Sequence, residues 1–194
     1  MTTRWTAKGP LLSAALFLAL PAAAQPVNPE LVKLCESCHG PGGNSVTPGT
    51  PSIAAQPLTF LENQMVYFRE GLRPAPVMQG ILKPIKDADL VALARHFSQQ
   101  KARVVTPGAA DPKLVERGRK VAQERHCGQC HMPRFEGREQ MARLAGQRED
   151  YLYDSLVGYR DGKRGGADTT MIEVMTGLGN DDIRALAHFM ARAE

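Results

Sequence analysis

The sequence predicts an all-α protein built from two tandem copies of one small helical unit. Two observations carry this prediction. The second half of the chain repeats residues of the first half at a nearly constant offset, and apolar residues recur at helical spacing with no convincing strand pattern. The chain has 194 residues, of which 43% are hydrophobic and 23% charged. This length accommodates two small domains and excludes a large multidomain enzyme.

The N-terminus has the pattern of a secretory signal peptide. Arg4 and Lys8 form a basic start, residues 11–20 are an apolar run, and Ala22 and Ala24 occupy the small-x-small positions of a cleavage site. Because the apolar run is short for a membrane span, we expect cleavage after Ala24 and not an uncleaved N-terminal anchor. Export to the periplasm follows, and cleavage removes two of the positive charges behind the formal net charge of +4.

The spacing of the four cysteines gives the strongest functional signal. They form two C-x-x-C-H motifs, at residues 35–39 and 127–131. Two thiols about one helical turn apart can form thioethers with the two vinyl groups of one porphyrin, and the adjacent histidine can bind its iron. The motifs therefore predict two covalently bound haem c groups. The predicted attachment residues are Cys35, Cys38, Cys127 and Cys130, and the predicted proximal iron ligands are His39 and His131.

Three other uses of these cysteines fit the pattern less well. A single zinc site would need both pairs close together, although they lie 92 positions apart and each is followed by histidine. A thioredoxin-like redox pair would need a βαβ context, for which the sequence shows no pattern. Structural disulfides, which an exported protein can form, would not require a histidine after each pair.

The repeat extends well beyond the motifs and divides the chain. Residues 53–56 match residues 144–147, and residues 68–73 match residues 159–164, both at an offset of 91. Each unit is small, so a bound apolar macrocycle would fill much of its core, and we expect the apoprotein to fold poorly. The predicted boundaries are 1–24 for the signal peptide, 25–104 for the first domain and 105–194 for the second, with 103–111 as the linker.

Helix signals follow one another in the same order in both units. In the first unit, Asn28-Pro29 is an N-cap with a first-turn proline and opens a helix that leads to the motif. Residues 58–69 have apolar side chains at helical spacing, with Gly71 as a C-cap candidate, and acidic residues at 87–89 begin the last helix. The corresponding signals of the second unit are Asp111-Pro112, residues 149–160, Gly162 and residues 180–182.

Comparison of the two halves also identifies the second axial ligand of each iron. Met78 and Met171 match at an offset of 93, and no other methionine of the mature chain has a methionine counterpart. A distal thioether gives a low-spin haem suited to electron transfer, whereas an open distal side would allow ligand chemistry. We predict Met78 and Met171 as the distal ligands. Met175, one helical turn beyond Met171, is the alternative for the second haem.

The other histidines and four repeated arginines are less certain candidates. His96, His126 and His188 have no repeated counterpart and are predicted at surface or helix-end positions. The arginine pairs Arg69/Arg160 and Arg73/Arg164 recur in both halves. They could contact haem propionates or the domain interface, or they could simply be solvated helix ends.

A loop carbonyl is expected to orient each proximal histidine. Proximal histidines usually donate their second ring N–H to a fixed acceptor. Pro51 lies in a loop that is well placed to offer its carbonyl to His39, and Ala142 occupies the matching position in the second unit. Any such carbonyl in the second unit therefore lacks the stiffness that proline provides.

These motifs resemble those of the class I c-type cytochromes, and specifically of the dihaem cytochrome c4 family. The resemblance covers residues 26–193 and rests on CESCHG, CGQCHM, SIAAQPLTFLENQMVYFREGLR, RLAGQREDYLYDSLVGYRDGKR and a methionine about nine residues before each acidic helix start. It implies two tandem cytochrome c folds, each wrapped around one haem, packed about a pseudo-twofold axis with their propionate edges close. Ala55 and Ala142 replace the usual glycine and proline, which affects loop detail and not ligation.

The resemblance implies a periplasmic electron carrier of a respiratory chain and not an enzyme. Its donor would be a quinol–cytochrome c reductase or a dehydrogenase, its acceptor a terminal oxidase, and peripheral membrane association is compatible with this role. The alternatives are the cytochrome subunit of a periplasmic dehydrogenase, such as a sulfide dehydrogenase flavocytochrome, and a dihaem peroxidase, which needs a replaceable distal ligand. Export disfavours a haem-based gas sensor. Because haem propionates offset the residual positive charge, that charge does not indicate a nucleic-acid partner.

Overall fold

The computed structural model describes residues 1–2, 25–105, 108–164 and 169–193. The predicted signal peptide falls almost entirely on residues 3–24 and lies outside the described residues. Within the described ranges the secondary structure is helical, and the β-type pairing is limited to an isolated bridge between Arg138 and Met141. None of the described helices is long and apolar enough to cross a bilayer.

Four α-helices form the first unit: α1 (Pro29–His39), α2 (Leu58–Arg69), α3 (Pro76–Leu82) and α4 (Asp87–Ser98). The predicted N-cap is confirmed, because the side-chain oxygen of Asn28 accepts the N–H of Glu30 at 2.9 Å. The motif of residues 35–39 occupies the C-terminal part of α1. After α2 the chain turns at Gly71, which has a φ of 72° and is the predicted C-terminal glycine.

The second unit contains α5 (Pro112–Glu124), α6 (Cys127–His131), α7 (Glu149–Arg160), α8 (Thr170–Met175) and α9 (Asn180–Met190). Asp111 caps α5 as predicted, since its carboxylate accepts the N–H of Lys113 at 2.8 Å. The helix leading to the motif is interrupted, however, because His126 adopts a φ of 55° between α5 and α6. The motif therefore lies on a short helix of its own, unlike its counterpart on α1.

A close helix crossing holds the second unit together. Gly118 of α5 lies against α9, and a Cβ at this position would come within 2.2 Å of the carbonyl oxygen of Ala185 and 2.6 Å of Cβ of Phe189. Only glycine allows the two backbones to approach this closely. The crossing joins the first and last helices of the unit and closes it around its core.

Each unit has a separate hydrophobic core, as two tandem domains require. The core of the first unit is the smaller and is formed chiefly by α2, α4 and the segment between them; its buried residues are Leu61, Leu82, Ile85, Leu90, Leu93, Ala94 and Phe97. The core of the second unit draws on α5, α7, α8 and α9. Its largest fully buried side chains are Met175, Ile183, Leu186 and Met190.

The loop in which alanine replaces the family's glycine keeps its conformation. Ala55 has a φ of 53° and its N–H donates to the carbonyl of Phe97 at 3.0 Å. In the second unit, Gly146 has a φ of 69° and donates to Met190 at 3.1 Å. Both units therefore connect this loop to the end of the last helix. Ala55 bears a backbone strain that Gly146 avoids, because an L-residue with a side chain disfavours the left-handed region.

Replacing Ala55 with glycine should stabilise the first unit. Relief of the left-handed strain is worth about 1–2 kcal/mol, and the greater freedom of glycine in the unfolded chain offsets up to about 1 kcal/mol of it. We expect a higher urea midpoint for unfolding of the first unit of the holoprotein. The matched change Gly146→Ala should lower the midpoint of the second unit. A loss of stability in Ala55→Gly would contradict the strain argument.

Candidate haem sites

The proximal histidines are held in the same way in both units. Nδ1 of His39 lies 2.8 Å from the carbonyl oxygen of Pro51, and Nδ1 of His131 lies 2.8 Å from that of Ala142. The predicted carbonyl acceptor of His39 is confirmed, and the second unit forms its equivalent without a proline. A carbonyl can only accept, so each Nδ1 carries the hydrogen, and Nε2 is left with its lone pair.

Burial keeps both rings in the form that binds a metal. Each histidine is 8% exposed. Burial lowers the pKa of both imidazoles below the usual value, and the hydrogen bond to the loop carbonyl opposes this shift only in part. The neutral ring with hydrogen on Nδ1 is the tautomer that can donate Nε2 to an iron.

The four cysteines form no disulfide with one another, and the first cysteine of each pair has the opposite pKa shift from that of a redox-active cysteine. Burial raises the pKa of Cys35 to about 11 and also raises that of Cys127. Reactive redox cysteines instead have a lowered pKa. Among the described residues, no group of three or more His, Cys, Asp or Glu side chains could hold a metal ion. The geometry thus gives no support to the redox-pair or zinc alternatives.

One largely apolar cavity of about 470 Å³ extends across both units. It collects six of the eight predicted site residues on its wall: Cys35, Cys38, His39, Met78, His131 and Met171. Cys127 and Cys130 precede His131 on α6 but are not part of this wall. A mainly apolar cleft with a few polar groups is what an organic cofactor requires.

The methionine positions distinguish the predicted distal ligand from its alternative. Met171 is partly buried and lies on the cavity wall, whereas Met175 is 1% exposed and belongs to the core of the second unit. This placement favours Met171. The wall also contains Met65, which has no methionine counterpart in the second unit. Its counterpart Leu156 occupies the same wall, so this position contributes apolar surface in both units.

The three remaining histidines lie away from the cavity wall. His126 is exposed, and His96 packs edge-on against Phe97 with its ring centroid 5.0 Å away. His188 lies in the last turn of α9, at a helix end as predicted, but it is buried and not at the surface. Its Nε2 accepts the N–H of Asp111 at 2.9 Å and its Nδ1 lies 3.0 Å from a carboxylate oxygen of Glu149. His188 therefore connects the start of α5 with α7 and α9.

The two repeated arginine pairs have different roles. Arg69 donates to Asp87 at 2.7 Å and Arg160 donates to Asn180 at 2.6 Å, so each connects the end of one helix to the first residue of the last helix of its own unit. Arg73 and Arg164 line the cavity, and both donate to the hydroxyl of Tyr151, at 2.9 Å and 3.1 Å. This second pair, one arginine from each unit, lies at the interface between the units.

Two buried glutamines join the units reciprocally. The side-chain amide of Gln147 accepts the N–H of Ser52 and donates to its carbonyl, both at 2.8 Å. Gln56 makes the same two bonds to the backbone of Arg143, both at 2.9 Å. Gln56 and Gln147 occupy the same repeat position in their units, and so do Ser52 and Arg143, whose backbones they bind. This exchange symmetry is what the predicted pseudo-twofold axis requires.

Buried guanidinium groups at the cavity fit the carboxylates of a haem. Nε of Arg143 and Nε of Arg164 are buried and have no hydrogen-bond partner among the described residues, and both side chains line the cavity. An unpaired buried N–H of a charged group is costly, so it calls for an anionic partner. With the two histidines and the free thiols, these groups match the iron, the vinyl groups and the propionates of haem.

Comparisons with known proteins agree with this geometry. The family model for cytochrome c matches residues 115–194. Cytochrome c4 of Azotobacter vinelandii is 37% identical, over 81% of this chain and 83% of that protein. The chain belongs to the cytochrome c4 family. Its cofactor is therefore covalently bound haem c, its fold is two tandem cytochrome c domains, and it is a dihaem electron-transfer protein.

Two further relatives refine this picture. The crystal structure of reduced recombinant cytochrome c4 from Pseudomonas stutzeri superimposes with a TM-score of 0.78 at 31% identity, covering 85% of this chain and 96% of that chain. The thiosulfate dehydrogenase electron acceptor of Thiomonas intermedia is 35% identical, over 78% of this chain and 74% of that protein. Cytochrome c4 proteins and dehydrogenase electron acceptors thus share this architecture.

Removing one interface glutamine should affect the haem of the opposite unit. Gln147→Leu leaves the N–H and carbonyl of Ser52 without partners, at a cost of about 1–3 kcal/mol. Because Ser52 follows the carbonyl that orients His39, we expect the midpoint potential of the first haem to change more than that of the second. Gln56→Leu should change the midpoint potential of the second haem more than that of the first. Equal effects on both haems in both variants would contradict this crossed arrangement.

Proposed function

We propose that this chain is an exported, periplasmic dihaem carrier, not itself an enzyme, that passes electrons to a terminal oxidase or a related acceptor. The proposed domains are residues 25–104 and 105–194, after removal of residues 1–24. The proposed thioether residues are Cys35, Cys38, Cys127 and Cys130, and the proposed axial ligands are His39 with Met78 and His131 with Met171.

The observation that carries this proposal is the composition of the shared cavity wall. It contains one histidine and one of the repeated methionines from each unit. Both histidines are fixed through Nδ1, with Nε2 free for an iron. A site with two protein ligands in both oxidation states needs little rearrangement when an electron arrives, which suits electron transfer better than substrate chemistry.

The protein groups have separate tasks at each site. When bound, the haem supplies a reversible one-electron iron couple. The loop carbonyls of Pro51 and Ala142 keep the imidazoles neutral and oriented. The apolar wall excludes water, which stabilises the less charged ferrous form and sets the potential together with the axial methionine. Arg143 and Arg164 supply donors for the haem carboxylates.

A second candidate has specific support. Thiosulfate dehydrogenase electron acceptors are among the relatives that span most of this chain. The chain could accordingly serve a periplasmic dehydrogenase as its dedicated electron acceptor, with thiosulfate as the oxidised substrate of that partner. A dihaem peroxidase is less well supported, because each unit has one of the repeated methionines on the cavity wall.

Variants of the four relevant methionines test the ligand assignment. The oxidised holoprotein should contain two haems per chain and show the methionine–iron charge-transfer band. Met78→Ala and Met171→Ala should each remove about half of this band and lower the potential of one haem. Met175→Leu and Met65→Leu serve as matched controls and should retain the band. Loss of half the band in Met175→Leu, with Met171→Ala unaffected, would reverse the assignment.

Kinetics with purified partners tests the proposed role. The reduced holoprotein should be reoxidised by membranes that contain a terminal oxidase, and the rate should saturate with protein concentration. If the chain instead serves a dehydrogenase, a thiosulfate dehydrogenase with thiosulfate should reduce it rapidly. Carbon monoxide binding to the untreated reduced protein, with peroxide turnover, would favour a peroxidase and refute the carrier role.

A further inference from the structure

Tyr151 connects the two cavity arginines through its hydroxyl group. Its hydroxyl accepts from Arg73 of the first unit at 2.9 Å and from Arg164 of the second at 3.1 Å. The matching position of the first unit is Phe60, which has no hydroxyl. A single oxygen atom therefore serves an arginine from each haem unit.

The surroundings of the two arginines are similar but not identical. Arg164 also interacts with the hydroxyl of Tyr159, which Phe68 at the matching position lacks, and it lies 5.4 Å from the ring centroid of Tyr151. Each guanidinium lies over an aromatic ring at the same repeat position, Arg73 over Phe68 at 4.4 Å and Arg164 over Tyr159 at 4.9 Å. Arg73 donates to Gln64, and Arg164 donates to Ser155 at the matching position. The rings and the short polar partners hold each arginine in its own unit, so the link between the units at this point is Tyr151.

The hydroxyl of Tyr151 interacts strongly with the positive charges of Arg73 and Arg164. Burial alone would raise the pKa of Tyr151, but the positive charges of Arg164 and Arg73 outweigh burial and lower the pKa to about 7. No described residue accepts the hydrogen of this hydroxyl. Tyr151 lines the shared cavity, so its O–H remains available to an anionic group there, such as a haem carboxylate.

We propose that Tyr151 is a positioning residue that couples the two haem sites by holding one arginine of each unit in a single hydrogen-bonded cluster. In this cluster the negative end of the C–O dipole offsets positive charge at both sites at once. A change at this oxygen is therefore felt by both irons, although Tyr151 belongs to the second unit. The inference rests on the proposed two-haem carrier function and adds to it a residue that sets both potentials.

The test is a spectroelectrochemical titration of the holoprotein with Tyr151→Phe. This change keeps the ring and reproduces the residue found at the matching position of the first unit. Loss of the oxygen leaves both guanidinium charges less compensated, and positive charge favours the ferrous state. We expect both midpoint potentials to rise. Tyr153→Phe removes a hydroxyl from the same helix outside the cavity wall, and should leave both potentials at the wild-type values.

A double variant provides a rescue. Because Phe60 stands in the same sequence relation to Arg73 as Tyr151 does to Arg164, Phe60→Tyr combined with Tyr151→Phe should return a hydroxyl to the cluster from the opposite unit. Both potentials should move back towards the wild-type values. Arg73→Gln provides an independent second variant, and it should shift the potential of the second haem as well as the first.

The outcomes separate this inference from the function on which it rests. If both midpoint potentials of Tyr151→Phe equal those of Tyr153→Phe, Tyr151 does not couple the sites. The same conclusion follows if only the potential of the second haem changes. If Arg73→Gln changes the first haem alone, the coupling is also refuted. If the wild-type holoprotein lacks two reversible haem couples, the carrier function itself fails, whatever the variants show.

Discussion

The hydrogen bond between the proximal imidazole and a loop carbonyl is the interaction on which the rest of the structure depends. In each unit this bond is 2.8 Å long and fixes the tautomer that can bind iron. The residue after the carbonyl, Ser52 or Arg143, gives both of its backbone groups to a glutamine of the other unit. Two consecutive residues thus connect each predicted iron ligand with the neighbouring unit, so the packing of the units and the position of both histidines are linked.

The cavity imposes the second constraint, because it removes volume from cores that are already small. The first unit has the smaller core, and it also has the shorter helix ahead of its motif. The second unit is held together in addition by the close crossing of α5 and α9 at Gly118. One apolar macrocycle per unit would complete the two cores, so haem binding should contribute directly to folding stability. Two free guanidinium N–H groups in the wall add to the cost of leaving the cavity unfilled.

Local signals predicted most of the fold and the carbonyl contact of one predicted ligand, His39. The N-caps at Asn28 and Asp111, the glycine after α2 and the carbonyl of Pro51 each depend on residues close in sequence, and the structure confirms them. The interface glutamines were missed, although their recurrence in both halves was a signal that could have identified them. The burial of His188 could not be predicted in this way, because its partner Glu149 is 39 residues distant and has no repeat counterpart that would indicate the contact.

The departures from the repeat carry as much physical information as the repeat itself. The predicted ligand sets are chemically identical in the two units, so any difference between the haem potentials must come from their surroundings. The differences at or near the cavity include Tyr151 against Phe60, Arg143 against Ser52, and a motif on a separate helix in the second unit but not in the first. The first two place a hydroxyl and an additional half-buried positive charge on the second unit. Because a nearby positive charge favours the ferrous state, the two irons experience unequal fields despite equal ligands, and the pseudo-twofold axis relates two sites that are not equivalent for an electron.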